Sequence, residues 1–245
     1  MAANGRPPKT AVLAAQRIIR DVVRRGLKPG DFLPPERTML DIYEVGRGTL
    51  REALRLLEFQ GVIAIKPGPG GGPALLDPDA SHLASTIVLL MQFKQAPFRA
   101  IVEVRSALEP MISSLAAERM TDEALEELSL SIEQMRQDLT DQDLFFESNK
   151  RFHELVAWSS GNALFGYIAD SLFGIMDGTA IGIDYPARRR EAVLKAHEEI
   201  YAALLARDPK EAGSRMAEHI EAYVRYAQRK YPEVLEEVVQ WDKLL

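Results

Sequence analysis

The chain has 245 residues, room for one large domain or two smaller ones, and an ordinary globular balance of 47% hydrophobic and 27% charged residues. It contains no cysteine, which excludes disulfides and thiolate metal sites. The net charge of −6 is uneven: residues 1–76 hold 12 Lys/Arg against 7 Asp/Glu, and residues 77–245 hold 18 against 29, so a basic head (+5) precedes an acidic body (−11). Such a head suits contact with a polyanion, made by the head alone. The opening MAANGRPPKT lacks the apolar core of a signal peptide, and the longest apolar run, Thr86 to Met91, is too short for a bilayer. The expectation is a cytoplasmic chain with no membrane partner.

Residues 10–25 place Val12, Ala15, Ile18, Ile19 and Val22 at helical spacing, and Gly26 ends that helix. The turn-rich GLKPGDFLPP leads to a short helix from about Pro35 to Tyr43, then a break at Val45-Gly46 and a stronger helix from Arg47 to Phe59. Gly61 stops it. VIAI (62–65) reads as a strand, KPGPGGGP (66–73) as a tip without regular structure, and ALL (74–76) as the returning strand. LDPDAS is linker-like. Beyond it helical periodicity recurs, predicting helices near 82–93, 97–119, 122–137, 141–159, 163–177, 187–207 and 209–230, with a short one at 233–243. Gly161-Asn162 supplies a stop and an N-cap, and Asp208-Pro209-Lys210-Glu211 an N-cap, a first-turn Pro and an acidic third residue.

The expected fold is therefore mostly α: three helices and a hairpin wing over residues 1–76, a linker at 77–82, an all-α bundle over 83–232 and a helical extension at 233–245.

In the third helix Arg47, Arg51 and Arg55 recur every four residues with Thr49 beside them, while Leu50, Ala53, Leu54 and Leu57 form the opposite, packing face. Guanidinium forks suit guanine edges and phosphates because they present paired donors in one plane. The plain alternative is a solvated basic face, with Arg51 and Arg55 paired to Glu52 and Glu58. The whole pattern, LPPERTMLDIYEVGRGTLREALRLLEFQGVIAIKPGPGG, resembles the GntR family of winged helix-turn-helix regulators. That resemblance implies DNA contacts from Arg37, Arg47, Thr49 and Arg51, and a minor-groove contact from Gly68 in the wing. Gly46 and Gly48 stand where the family often carries hydroxyl residues, and Pro35 stands at its usual small N-cap.

Three of the four histidines, His153, His197 and His219, fall in helices of the body. His197 and His219 are equidistant from Asp208, so in an antiparallel helical hairpin both sit about 15 Å from the turn and stand level. His153 shares a helical face with Asn149. Three imidazoles and an amide oxygen could meet in the bundle as ligands of a divalent metal, or the three could be unrelated core or surface histidines. His82 reads as a surface residue.

NKRFHELV (149–156), SGNALF (160–165), HEEIYAALLARDPKEA (197–212), MAEHI (216–220) and EVRSALEPMISSLAAER (103–119) resemble the FCD sensor domain of FadR-type GntR regulators. The resemblance implies that Asn149, His153, His197 and His219 hold a divalent ion such as zinc or nickel, that an organic acid completes its coordination, and that Arg105 faces the pocket toward a ligand carboxylate. Asn149 stands where the family commonly has Asp. For Arg105, an i,i+4 pair with Glu109 is the competing expectation. The implied function is a ligand-responsive regulator, a repressor by the family's habit, that reads a short inverted repeat of double-stranded DNA as a homodimer. The alternative is a metal-free sensor of an acyl or acyl-CoA ligand. A metalloenzyme fused to a DNA-binding head ranks lower: no general base, phosphate loop or nucleophile elbow accompanies the histidines, so the chain is not expected to be an enzyme.

Overall fold

The computed structural model describes residues 10–68, 70–77, 79–176 and 178–244, in two compact units that divide between His82 and Leu83. In the first unit α1 (Thr10–Arg25) buries Ala11, Ala14, Ala15 and Ile18 and stops at Gly26, whose φ of +65° suits a residue without a Cβ. α2 (Glu36–Tyr43) and α3 (Arg47–Phe59) follow, joined by three residues, with Glu44 in the left-handed region. Arg17 of α1 donates Nη1 to the Tyr43 carbonyl (2.6 Å), so one guanidinium satisfies a terminal carbonyl of α2 and ties it to α1. Met39, Tyr43, Leu50, Ala53 and Leu57 complete the core of this unit.

β1 (Ile63–Lys66) and β2 (Gly72–Leu75) form an antiparallel hairpin, with Ile63 opposite Leu75 and Lys66 opposite Gly72. Each strand lies a residue or two from its expected span. β2 also pairs on its other side: Leu33 N donates to Pro73 O (2.8 Å) and Leu75 N to Asp31 O (2.8 Å). These bonds to a distant loop draw β2 toward the tip, beyond what local β-propensity indicates. Gly71 is fixed by sterics, because a Cβ there would lie 2.2 Å from Lys66 O.

α4 (Ser81–Lys94) begins in the last two residues of the first unit, and the second unit continues with α5 (Arg99–Arg119), α6 (Asp122–Gln137), α7 (Gln142–Ser159), α8 (Ala163–Met176), α9 (Ala187–Leu205), α10 (Pro209–Lys230) and α11 (Pro232–Leu235). The caps follow from side-chain chemistry. Asp208 accepts from Lys210 N (3.1 Å) and Glu211 N (3.0 Å), Asn162 accepts from Leu164 N (3.1 Å), and Asp141 accepts from Asp143 N and Leu144 N. α5 packs closely on α10 at Gly213, where a Cβ would stand 2.3 Å from Ser114 Oγ.

Two expectations are corrected. α4 starts at Ser81 because Asp79 caps it, accepting from Ser81 N at 2.9 Å, so helix occupies the end of the expected linker and His82 lies half-buried, its ring 5.4 Å from that of Phe59. The helix expected over 233–243 ends at Leu235. The chain then extends so that Val238 bridges Pro97 and Phe98 N donates to Glu237 O (2.8 Å), before a short 3-10 turn at Trp241–Leu244.

Candidate functional site

Four helices bring polar side chains to one place inside the second unit: Arg105 and Glu109 from α5, Asn149 and His153 from α7, His197 from α9 and His219 from α10. All six are buried in a core that is otherwise almost wholly apolar. His197 and His219 face each other across the α9–α10 hairpin with their Nε2 atoms 3.4 Å apart. One ring nitrogen from each of His153, His197 and His219 falls within 4.8 Å of the others. Phe152 stacks on His197 at 3.8 Å between centroids and fixes that ring's plane.

Burial is the largest influence on both His197 and His219, and the neighbouring positive groups add to it, so both pKa values lie well below the ordinary imidazole range. Each ring is neutral at pH 7, the state in which imidazole offers a lone pair. His153 is held from behind: its Nδ1 lies 2.7 Å from Glu109 Oε2. A proton on Nδ1 makes Nε2 the acceptor nitrogen, and Arg105 Nη2 stands 3.2 Å from it. Burial alone would push the Glu109 carboxyl up. The charges and hydrogen bonds of Arg105 and His153 together outweigh that and hold it at about 2. Arg105 closes the arrangement by donating Nε to Glu109 Oε1 and lying 5.3 Å from the Tyr223 ring centre. Of the two expectations for Arg105, the i,i+4 pair with Glu109 is present, and the same side chain stands beside His153.

The donor set fits a divalent ion. Two nitrogens on one tetrahedral zinc, at bond lengths of ~2.0–2.1 Å, stand roughly 3.4 Å apart, which is the His197–His219 separation. Buried His197 Nδ1 has no hydrogen-bond partner, so the apolar interior gives this ring no other polar role. Asn149 borders a small cavity together with Arg105 and His219. A second cavity of about 20 Å³, room for one water molecule, has Arg105, Glu109 and His153 on one wall and only apolar side chains such as Leu108, Ile112 and Val156 elsewhere.

Glu109 is the partner that reading the sequence left as a simple helical pair. Its i,i+4 relation to Arg105 was visible, but its reach to His153 on another helix was not. Glu154 turns away from this centre and meets Lys150 at 3.7 Å.

In the first unit Arg37, Arg47 and Arg51 are exposed and Thr49 is half-buried at the start of α3. Arg51 pairs with Glu36 of α2 at 3.1 Å, not with Glu52, and Glu58 accepts from Ile65 N (3.3 Å) and so does not pair with Arg55. Gly68 sits at the wing turn with φ +96°, its carbonyl accepting from Gly71 N (2.9 Å).

Comparison with known proteins matches both units. Residues 10–71 match the signature described as bacterial regulatory proteins, gntR family, and residues 100–222 match the FCD domain. The chain is 34% identical over 205 residues to the uncharacterized HTH-type transcriptional regulator YcbG of Bacillus subtilis, covering 84% of each chain. It is 28% identical to the HTH-type transcriptional repressor NanR of Cronobacter sakazakii, over 86% of this chain and 83% of that one. A solved structure titled Streptococcus agalactiae GntR superposes with a TM-score of 0.71 at 22% identity, covering 88% of this chain and 99% of that one, which shows the fold. A winged helix-turn-helix head followed by an FCD bundle makes this chain a member of the GntR family of bacterial transcriptional regulators.

Proposed function

We propose that this regulator is a repressor of the FadR type whose body senses an organic acid at a divalent ion held by Asn149, His153, His197 and His219. The carrying observation is the buried convergence of three imidazoles, two of them held neutral, beside the Arg105–Glu109 pair. Charge balance favours an acidic effector. Asn149 brings no charge, and Glu109 is already matched by Arg105, so a dication there is left for an incoming carboxylate to neutralise. Arg105, which stands beside His153 and pairs with Glu109 through Nε, would offer its remaining N–H donors to that carboxylate. The ion would act as a Lewis acid that binds the carboxylate, without further chemistry. No helix among the described residues is long and apolar enough to cross a membrane.

Residues Arg37, Arg47, Thr49, Arg51 and Gly68 would contact an inverted-repeat operator, with Arg47 and Arg51 at base edges and Gly68 in the minor groove. Two such half-sites need two heads, hence a homodimer. Apolar side chains left exposed on α4 support one, Leu90 at 61% and Phe93 at 80% among them, since a lone body would leave them in water. Repression is carried over from the name of NanR. An effector would act by favouring one arrangement of the two heads.

The apolar wall of the cavity beside His153 lends some support to the acyl-ligand reading, yet its volume of about 20 Å³ holds one water molecule and admits no acyl chain without α7 and α8 parting. Metal analysis of the purified chain, with mass spectrometry of any small acid retained, tests the proposal. A metal-free protein that carries an acyl ligand would replace it. Light scattering on a chain lacking residues 1–76 tests the dimer: a monomeric body beside a dimeric whole chain would move the interface to the head.

A further inference from the structure

α9 opens with Arg188, Arg189 and Arg190 and has no acidic residue in its first turn. The N-terminal end of a helix carries partial positive charge, so cations there oppose the dipole and cost stability. Arg190 has a structural task, donating Nε to Leu139 O and Nη1 to Tyr185 O, both at 2.7 Å. Arg188 and Arg189 instead line a groove of about 660 Å³ with Arg225 and Arg229 of α10. Among the described residues Arg225 is the one member of this group with an ion pair, to Glu221 at 3.1 Å. Four guanidiniums thus gather, three without a carboxylate, in a body where 29 Asp/Glu outnumber 18 Lys/Arg. Arg188, Arg225 and Arg229 are exposed and Arg189 is half-buried, so the groove presents its positive charge where an anion from solvent can reach it.

Arg189 links the groove to the histidine centre. It lies 5.0 Å from the Tyr226 ring centre and 6.0 Å from that of Tyr185, and its buried Nε has no hydrogen-bond partner. The same side chain borders the small cavity that Asn149, Arg105 and His219 line. Arg189, Val193 and His197 share one face of α9, two turns and about 12 Å from end to end. Burial first, with the charge of Arg105 adding to it, lowers the Arg189 pKa, so a nearby anion would relieve this cation.

We propose that Arg188, Arg189, Arg225 and Arg229 form a second anion site, which takes the phosphate of a small organic acid whose carboxylate meets the histidine centre. This rests on the reading of that centre as the effector site. Phosphate is the better match because its three oxygens can each accept from a separate guanidinium fork, whereas a carboxylate is satisfied by one or two.

The test is calorimetry on the full chain with zinc added, using glycerate, 3-phosphoglycerate and inorganic phosphate as probes. 3-Phosphoglycerate should bind at least about tenfold tighter than glycerate. In the Arg188→Ser/Arg229→Ser variant that ratio should fall to near one, with glycerate affinity unchanged and the melting curve preserved. His197→Ala should weaken both acids and leave inorganic phosphate binding in place. If His197→Ala does not affect 3-phosphoglycerate while the arginine variant still loses phosphate, the histidine reading fails and the anion site stands. Equal affinity for the two acids, no binding of any probe at millimolar concentration, or a phosphate preference that survives the arginine variant overturns the site. So does an arginine variant that binds DNA more weakly but phosphate as before, which would give the groove to a polynucleotide.

Discussion

The Nε2 atoms of His197 and His219 lie 3.4 Å apart with both side chains buried, so there is room for at most one proton between these two nitrogens. A second proton would set two N–H groups head-on in a buried interior that also holds the charge of Arg105. The pair is therefore built to stay neutral, and neutrality is what a cation requires of imidazole.

The chain is expected to take up about one zinc or nickel ion per protomer. His153→Ala, His197→Ala and His219→Ala should each lower affinity by roughly 100-fold or more, since loss of an outer partner alone costs ~10–100-fold. The fold should survive, because the core reaches through every helix of the body. Metal analysis and thermal melts on the same samples check this, and full occupancy in all three variants would reject the site.

Stability of the metal-free protein should fall as pH drops below neutral. The folded state keeps His197 and His219 neutral, with pKa values well below 6.5. The unfolded chain takes up protons as pH falls through ~6.5, so the contribution from these rings is complete above that pH and is lost below it, with a slope of up to ~1.4 kcal/mol per pH unit per ring. Glu109 works in a lower window: with its folded pKa at about 2, its contribution is present above ~4.5 and is lost as pH falls toward the folded value. Melting curves between pH 7.5 and 5 should decline, and a His197→Ala/His219→Ala variant should decline less. The same depression moves proton competition with a metal below the usual imidazole range.

The parts of this centre that could be read in the sequence are those fixed by local chain geometry. Asp208 caps α10, the cap sets the turn, and the turn sets His197 level with His219. Asn149 and His153 follow from helical spacing. What could not be read depends on contacts between elements far apart in sequence. Glu109 reaches His153 across 44 positions, and Arg51 takes Glu36 across a turn in place of its neighbour Glu52. The chain leaves helical form after Leu235 because residues 237 and 238 pair with the start of α5, which no helical pattern in 233–243 could foretell.

Arg47→Ala and Arg51→Ala should each weaken operator binding by ~1–3 kcal/mol while leaving the melting temperature nearly unchanged, as both side chains are exposed. Glu36→Ala frees Arg51 from its 3.1 Å pair and should raise non-specific affinity slightly. Anisotropy titrations at one fixed salt concentration measure all three. Unaltered affinity in both arginine variants would remove α3 from the groove.

Gly71→Ala tests the wing. Its Cβ would lie 2.2 Å from Lys66 O, a backbone atom that cannot swing aside as a side chain could, so the hairpin must open at a cost of about 1–3 kcal/mol. Operator affinity should drop, while the melting of the separate helical body stays in place. A variant that binds DNA normally would show that the tip does not touch the duplex.

Asn149→Asp bears most directly on the sensing chemistry. Asn149 is buried, shares its helical face with His153 and borders the cavity between Arg105 and His219. A carboxylate there adds one negative charge where a dication would sit, so metal affinity should rise by at least tenfold. The same charge should reduce the need for an external acid to balance the site, and acetate or citrate should then bind more weakly to the zinc-loaded variant than to the zinc-loaded wild type. Without metal the new carboxylate is buried with Arg105, already engaged by Glu109, and Arg189 as the cations on that cavity, so addition of zinc should raise the melting temperature of the variant by more than that of the wild type. Zinc titration, acid titration and paired melts separate these effects. A variant that gains no zinc affinity would place Asn149 outside the ligand set and leave the ion to the three histidines.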